Sequence, residues 1–380
     1  MKVLFIANCV PMRGGNMSLL QLMKELSQPP YNVEPVLLTT FDLERYSSSI
    51  VKEASALGIR CITARFYPFK WYYSKSPMSF IKYSTNFLNY RRILKTVRKE
   101  KFDVIHSNSS IIDVGGYLSA KLKIKHVWHL REFGDLDFNM KPLFGKWQER
   151  RLYRNGDRFI AVSESIKKRY LPYISPESKI SVVYNGLPIV KQMPETDIRQ
   201  DSDEVRFCIS GAVNEAKRQE DALKAMDMLV NLRNIRNLHL TIIGDGYYRE
   251  RLERFVEEKN LTEFVTFTGW IRNADEYYSS SDVGLMLSAN EGFGRVTIEY
   301  MRAGLAVIAS NSGANPELVE DGKTGLLYPT GDVGKLCDMM ERMVTNPGLR
   351  QALAAAGHEF SMTHFLSADN TKSVYNLYLS

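Results

Sequence analysis

Thirteen short apolar runs, each closed by turn residues and separated by amphipathic stretches, constrain this 380-residue chain more than any single motif. In the first half they are Val3–Asn8, Val33–Thr40, Ile59–Ala64, Val104–Ser107, His126–Leu130, Phe159–Val162 and Ile180–Tyr184. In the second half they are Val205–Ser210, Leu238–Gly244, Phe264–Phe267, Val283–Leu287, Ala306–Ala309 and Gly325–Leu327. A parallel strand pair needs a crossover, usually a helix, so this alternation predicts parallel sheets in an α/β class. A single core stops growing at roughly 250–300 residues, so the chain divides into two doubly wound, Rossmann-like domains. The expected boundaries are 1–187 and 205–364. The polar, proline-containing segment 188–204 reads as the linker between them.

Composition excludes several classes. Hydrophobic content of 44% with 24% charged residues rules out a disordered, collagen-like or disulfide-scaffold chain. No apolar run approaches the roughly 18 residues of a spanning helix. The start MKVLFIANCVPMRGG carries no small-x-small cleavage site and reads as a first strand. Cys9, Cys61, Cys208 and Cys337 lie too far apart in sequence to suggest a clustered metal site or a disulfide framework, so a cytoplasmic protein is expected.

The charge is unevenly placed. The net charge is +7, but residues 1–190 hold 30 basic against 15 acidic residues, and residues 191–380 hold 20 against 28. The halves therefore face different partners. Residues 65–101 hold ten Lys or Arg, one acid (Glu100) and ten aromatics. Within them Ile81, Phe87, Tyr90, Ile93, Leu94 and Val97 form an apolar helical stripe flanked by Lys82, Arg91, Arg92, Lys95, Arg98 and Lys99. Phe66, Phe69, Trp71, Tyr72 and Tyr73 upstream suit a lipid headgroup boundary. The stripe also suits a core-facing helix with a solvated basic back.

No G-x-G-x-x-G turn follows the first strand, which removes the main support for a dinucleotide oxidoreductase. Gly14 and Gly15 instead open onto an apolar-periodic helix, where bare backbone can approach an anion or simply form a tight turn. In SANEGFGRVTIEYMRAG a strand end leads to Glu291, the Gly292–Gly294 loop, and a helix beginning near Arg295–Thr297 with Glu299 in its first turn. Glycines bare the amides there and the helix dipole adds positive potential, so the loop suits a phosphate. A carboxylate at each end can accept from the vicinal hydroxyls of a sugar.

Glu291 to Glu299 resembles the E-x7-E signature of retaining nucleotide-sugar glycosyltransferases of family 4, the group 1 type with the GT-B fold. Further segments agree in order: the N-terminal GG, DVIHSN, HVWHLRE, AVSES, VVYNGLP, SGAVNEAKRQEDALKAM, IIGDG, FTGW and PELVEDGKTGLLYPTGD. The resemblance implies two Rossmann-like domains with an interdomain cleft. The acceptor would be held by the first domain and the donor by the second, and a C-terminal helix, residues 365–380, would return to the first. It implies His129, Lys217 and Glu291 as catalytic residues. Donor contacts would come from Gly14, Gly15, Lys217, Trp270, Ile271, Glu291, Gly292, Phe293, Gly294, Arg295, Val296, Thr297 and Glu299.

Each of these also has a plainer reading. A lysine in a βα loop is by default a solvated charge, a histidine at a strand end is often structural, and Trp270 suits the core equally. Glu317, in a Gly-containing loop before a short helix, could cap or could bind. Arg131, Glu132 and Asp135 follow His129 on a loop that suits the acceptor side. The family often has Arg where this chain has Ala212, which leaves Arg295, Arg218 or Arg13 to meet the second phosphate charge. Asp135 and Asp137 mimic a metal-binding D-x-D, but the resemblance places the phosphates on the other domain, so no metal is expected.

The expected activity is retaining, metal-independent transfer of a sugar from a UDP- or GDP-sugar, with no further cofactor. The expected acceptor is a membrane-associated, lipid-linked glycan of cell-surface polysaccharide synthesis, met at the inner face of the plasma membrane through residues 65–101. The alternatives are a soluble acceptor, a GT-B-like epimerase, or a basic protein binding RNA or anionic surfaces without chemistry. The last gives Glu291, Glu299 and Lys217 no use, and no nucleic acid is expected.

Overall fold

The computed structural model describes residues 1–8, 11–12, 14–40, 49–71, 76–154, 156–189 and 204–380. Arg13, Tyr72, Tyr73 and linker residues 190–203 lie outside the described residues. The chain forms two compact units, Met1–Pro188 with Leu366–Ser380, and Ile189–Phe365.

The first unit contains β1 (Lys2–Ala7), β2 (Glu34–Thr39), β3 (Arg60–Thr63), β4 (Lys70–Trp71), β5 (Val104–Ser107), β6 (Lys125–Leu130), β7 (Lys141–Pro142), β8 (Arg158–Ala161) and β9 (Ile180–Val182). Seven of these form a parallel sheet in the order β3-β2-β1-β5-β6-β8-β9. Val3, Phe5 and Ala7 face one side of β1, and Leu4 and Ile6 the other; all are fully buried. Burial on both faces is why the strands read as unbroken apolar runs.

On one face the helix Gly14–Leu26 presents Leu19, Leu22, Met23 and Leu26, a three-four spacing that makes a single stripe. Each such side chain contributes roughly 1.5–3 kcal/mol on burial. The closing helix Ser367–Leu379 adds Val374 and Tyr378 to the same core. Its entry is tight: a Cβ on Gly186 would lie 2.3 Å from the Leu366 carbonyl oxygen and 2.4 Å from Ser367 Cα. Only glycine lets the two backbone stretches meet there.

On the other face the helix Asn86–Val97 buries Tyr90, Ile93 and Val97 against Leu4, Ile6, Val36 and Leu38. This corrects part of the expectation for residues 65–101. Half of the helical stripe faces the core, and Phe66 and Phe69 are buried rather than offered to a headgroup boundary. The core takes them because β4 pairs with β7 as a two-stranded antiparallel ribbon that carries Phe69 inward. Lys70 follows it into the interior, where its Nζ lies 2.6 Å from Glu149 Oε1 and 3.2 Å from the Tyr170 hydroxyl. Burial lowers the pKa of Lys70, opposed by Glu149. Ile81 and Phe87 remain exposed with Met78 and Leu88, and the Arg91 guanidinium lies 4.0 Å from the Phe87 ring centre.

The second unit holds β10 (Val205–Ser210), β11 (Leu238–Ile243), β12 (Val265–Gly269), β13 (Val283–Met286), β14 (Ala306–Ser310) and β15 (Leu326–Tyr328), in the parallel order β12-β11-β10-β13-β14-β15. Its core joins Phe207 and Ile209 of β10 to Leu223, Met226 and Leu229, and to Leu336, Met340 and Met343. Among the described residues no helix is long and apolar enough to cross a membrane.

Candidate active site

In an open parallel sheet the ligand crevice lies beyond the strand C-termini where the winding reverses. In the second unit that point falls between β10 and β13. The chain leaving β10 carries Lys217, and the chain leaving β13 carries Glu291. The topology alone therefore brings together two residues seventy-four positions apart, with Nζ 2.6 Å from Oε2. Both are partly exposed, at 30% and 21%, so the pair contributes about 0–1 kcal/mol to stability. Its value is positional.

Lys217 does not itself open a helix. It ends a short 3-10 turn, Glu215–Lys217, whose Lys217 amide donates to Asn214 Oδ1, and Arg218 then adopts φ 56° before the helix Gln219–Asp227. The asparagine cap closes this short turn first, so the helix starts two residues after Lys217. The turn is held from below by glycines: a Cβ on Gly244 would lie 2.0 Å from the Gly211 carbonyl oxygen, and one on Gly246 2.2 Å from that of Val213.

Gly292, Phe293 and Gly294 lead into the helix Arg295–Arg302. Gly294 has φ 84°, and a Cβ there would crowd Leu318, Thr297 and Asn315. Phe293 is buried and packs edge-on against Phe365, which anchors the loop. The Arg295 and Val296 amides stand in the first turn, where no carbonyl of the same helix can reach them, while the Thr297 amide bonds the Gly294 carbonyl. Glu299 sits in the second turn, and Arg295 Nε donates to its Oε1 at 2.8 Å. Burial pushes the Glu299 carboxyl up, against the pull of Arg295. Trp270 and Ile271 follow β12 at the sheet edge, and Trp270 is exposed. Glu317 lies in the short helix Asn315–Leu318.

In the first unit the winding reverses between β1 and β5. Gly14 and Gly15 start the helix after β1, and Asn108 follows β5. Asn108 Nδ2 donates to the Gly15 carbonyl at 3.2 Å and its Oδ1 accepts from Arg131 Nε. Arg131 Nη1 donates to Asn185 Oδ1 at 2.6 Å, and Arg131 Nη2 lies 3.3 Å from His129 Nδ1. His129 is fully buried. Glu132 is bound by the Ser109 hydroxyl and the Ser110 amide. Asp135 is bound by Arg169 at 2.9 and 3.0 Å, and Asp137 by the Phe133 and Gly134 amides. Those three acids brace their own loop. No group of three or more His, Cys, Asp or Glu that could hold a metal occurs among the described residues.

The structure thus gathers Lys217, Glu291, the 292–297 loop and Glu299 at one switch point, and Gly14, Gly15, His129 and Arg131 at the other. Sequence reasoning missed Asn108 and Asn185. Each sat in a recognised segment at a strand end, which was the available signal.

Two α/β units of this topology make the GT-B glycosyltransferase fold. The crystal structure of Anabaena HepE in complex with UDP and glucose matches with a TM-score of 0.79 over 99% of each chain at 18% identity. The family described as Glycosyltransferase Family 4 matches residues 12–190, and that described as Glycosyl transferases group 1 matches residues 195–360. The chain belongs to the group 1 glycosyltransferases. An uncharacterized 41.2 kDa protein in the cps region of Klebsiella pneumoniae is 27% identical over 76% of this chain and 82% of its own. A lipopolysaccharide core biosynthesis glycosyltransferase of Rhizobium meliloti, LpsD, is 32% identical over 39% of this chain and 42% of its own.

Proposed function

We propose that the protein transfers a sugar from a nucleoside diphosphate sugar to a glycan acceptor with retention of anomeric configuration. The observation that carries this reading is the Lys217–Glu291 pair beside the glycine loop and helix start at 292–297. The diphosphate would lie on the Arg295 and Val296 amides, with Lys217 offsetting the charge that grows on the leaving phosphate. Glu291 would accept from hydroxyls of the donor sugar and Glu299 from those of the ribose. Arg295, or Arg218, would meet the second phosphate charge. The bond from C1 to the leaving phosphate breaks as the acceptor oxygen bonds C1 on the same face. The acceptor proton passes to the departing phosphate oxygen, which needs no metal. UDP bound in HepE favours a uridine donor.

The acceptor on this reading is lipid-linked and lies at an anionic membrane surface. Exposed Met78, Ile81, Phe87 and Leu88, beside Arg91, support it, as does exposed Trp147 with the Arg151 guanidinium 5.3 Å from its ring centre. The name of LpsD, a lipopolysaccharide core biosynthesis glycosyltransferase, supports a glycan acceptor.

The experiment is turnover of a panel of UDP- and GDP-sugars with and without EDTA, with the product's anomeric coupling read by NMR. Retention with chelator present is expected. Activity lost to EDTA and restored by Mg²⁺ or Mn²⁺ would overturn the metal-free route, and inversion would overturn the same-face step.

A further inference from the structure

A chain of buried hydrogen bonds in the first unit ends on His129, and neither of its inner members has a role above. The Tyr378 hydroxyl lies 2.6 Å from His106 Nδ1. His106 Nε2 lies 3.2 Å from His129 Nδ1, which also lies 3.3 Å from Arg131 Nη2. The remaining nitrogen, His129 Nε2, is buried with no hydrogen-bond partner among the described residues. Tyr378 is 4% exposed and both histidines are fully buried.

The proton positions follow from the one group that has no choice. A guanidinium only donates, so His129 Nδ1 must accept and the proton of the neutral ring sits on Nε2. His106 Nε2 can then approach that bare nitrogen only by donating to it. This leaves His106 Nδ1 bare, and the Tyr378 hydroxyl donates to it. The reverse polarity would set a His129 N–H against the Arg131 N–H. Two donors share one lone pair on Nδ1, which accounts for both contacts being long for N–H···N bonds.

We propose that Tyr378 and His106 are positioning residues that hold His129 as a neutral Nε2–H donor, so that it offers a proton to a sugar oxygen and acts neither as base nor as acceptor. The substrate class rests on the glycosyltransferase reading; the tautomer does not. Neutrality has an independent support, since burial and the nearby Arg131 both hold the two imidazoles well below their usual pKa. A buried donor left unmatched is costly, and a bound hydroxyl oxygen would remove that cost. The closing helix, 249 residues beyond His129 in sequence, thereby sets the proton on a residue at the strand-end site.

The test needs no substrate. The chain has six histidines, so selective 15N-histidine labelling with long-range proton–nitrogen correlation resolves each ring. At pH 7 His129 is expected to show a pyrrole-type Nε2 and a pyridine-type Nδ1, and His106 the same pattern. A proton on His129 Nδ1, or an imidazolium, would overturn the proposal whether or not the protein turns over any sugar. In turnover, His106→Phe is expected to lower kcat about tenfold with the acceptor KM unchanged, and His106→Gln, which can still present an N–H, to recover most of it. Equal losses in both variants would overturn the positioning role even with the tautomer confirmed. A wild type that turns over no nucleotide sugar would count against the proposed reaction alone.

Discussion

Lys217 Nζ and Glu291 Oε2 lie 2.6 Å apart because the sheet reverses its winding between the strands that carry them. The pair is partly exposed and worth little to stability, so substitution there should separate function from folding. Lys217→Ala is expected to lower kcat by roughly 10²–10³, as the loss of a group acting on developing charge does, with the unfolding midpoint unchanged. Steady-state kinetics beside thermal melting read both. A loss confined to KM would place Lys217 in ground-state binding only.

Glu299 is engaged by Arg295 at 2.8 Å, beside the first-turn amides. Glu299→Ala is expected to weaken binding of free UDP about tenfold, the worth of one charge-assisted hydrogen bond. Titration calorimetry measures it. Unchanged or tighter binding would remove the ribose assignment.

Adjacent glycines in the helix Val114–Leu122 should respond with opposite signs. A Cβ on Gly115 would lie 2.0 Å from Ser107 Oγ and 2.8 Å from His126 Nε2, whereas one on Gly116 would rest 3.8 Å from the His126 ring. Gly116→Ala is expected to stabilise by about 0.5–1 kcal/mol through the helix preference alone, and Gly115→Ala to destabilise by about 1–3 kcal/mol. Urea unfolding of both variants decides it.

Burial, with the Glu132 charge behind it, pushes the Asp137 carboxyl up to about 7. An aspartate in the unfolded chain titrates near pH 4, roughly, so between about pH 4 and 7 the unfolded chain has released a proton that the folded one keeps. Stability should therefore fall as pH rises through that window. Asp137→Asn, which keeps one acceptor oxygen for the Phe133 and Gly134 amides, is expected to flatten this part of the curve. Parallel curves for variant and wild type, from urea midpoints at three pH values, would refute the assignment.

The exposed basic residues of the helix Asn86–Val97 and the turn after it should make lipid binding salt-dependent, at about 1 kcal/mol for each charge near an anionic leaflet. Flotation with anionic vesicles at low salt is expected for the wild type. It should be lost when Arg91, Arg92, Lys95 and Arg98 become Gln. Failure of the wild type to float on either anionic or neutral vesicles would favour a soluble acceptor.

The strands were legible in the sequence because parallel strands bury both faces and so read as apolar runs. The pairing of Lys70–Trp71 with Lys141–Pro142 was not. A two-residue strand has no period to detect, and the buried partner of Lys70, Glu149, lies seventy-nine residues on. The acidic and glycine-rich cluster of the second unit was readable from local spacing around Glu291. The histidine cluster of the first unit was readable only as far as His129 and Arg131, since its support comes from Asn108, Asn185, His106 and Tyr378, which converge only in three dimensions.

The return of the chain to its starting unit also sets an order of events during synthesis. Val374 and Tyr378 complete a core whose first strand begins at Lys2. Domains usually fold as units in the order they emerge, N-terminal first. Here the unit begun first cannot close until the whole second unit has been translated. The nascent first unit leaves Leu19, Leu22 and Val3 without their closing helix throughout that interval, a window for chaperone capture. A chain cut just before the closing helix Ser367–Leu379 would leave the second unit complete and the first one open.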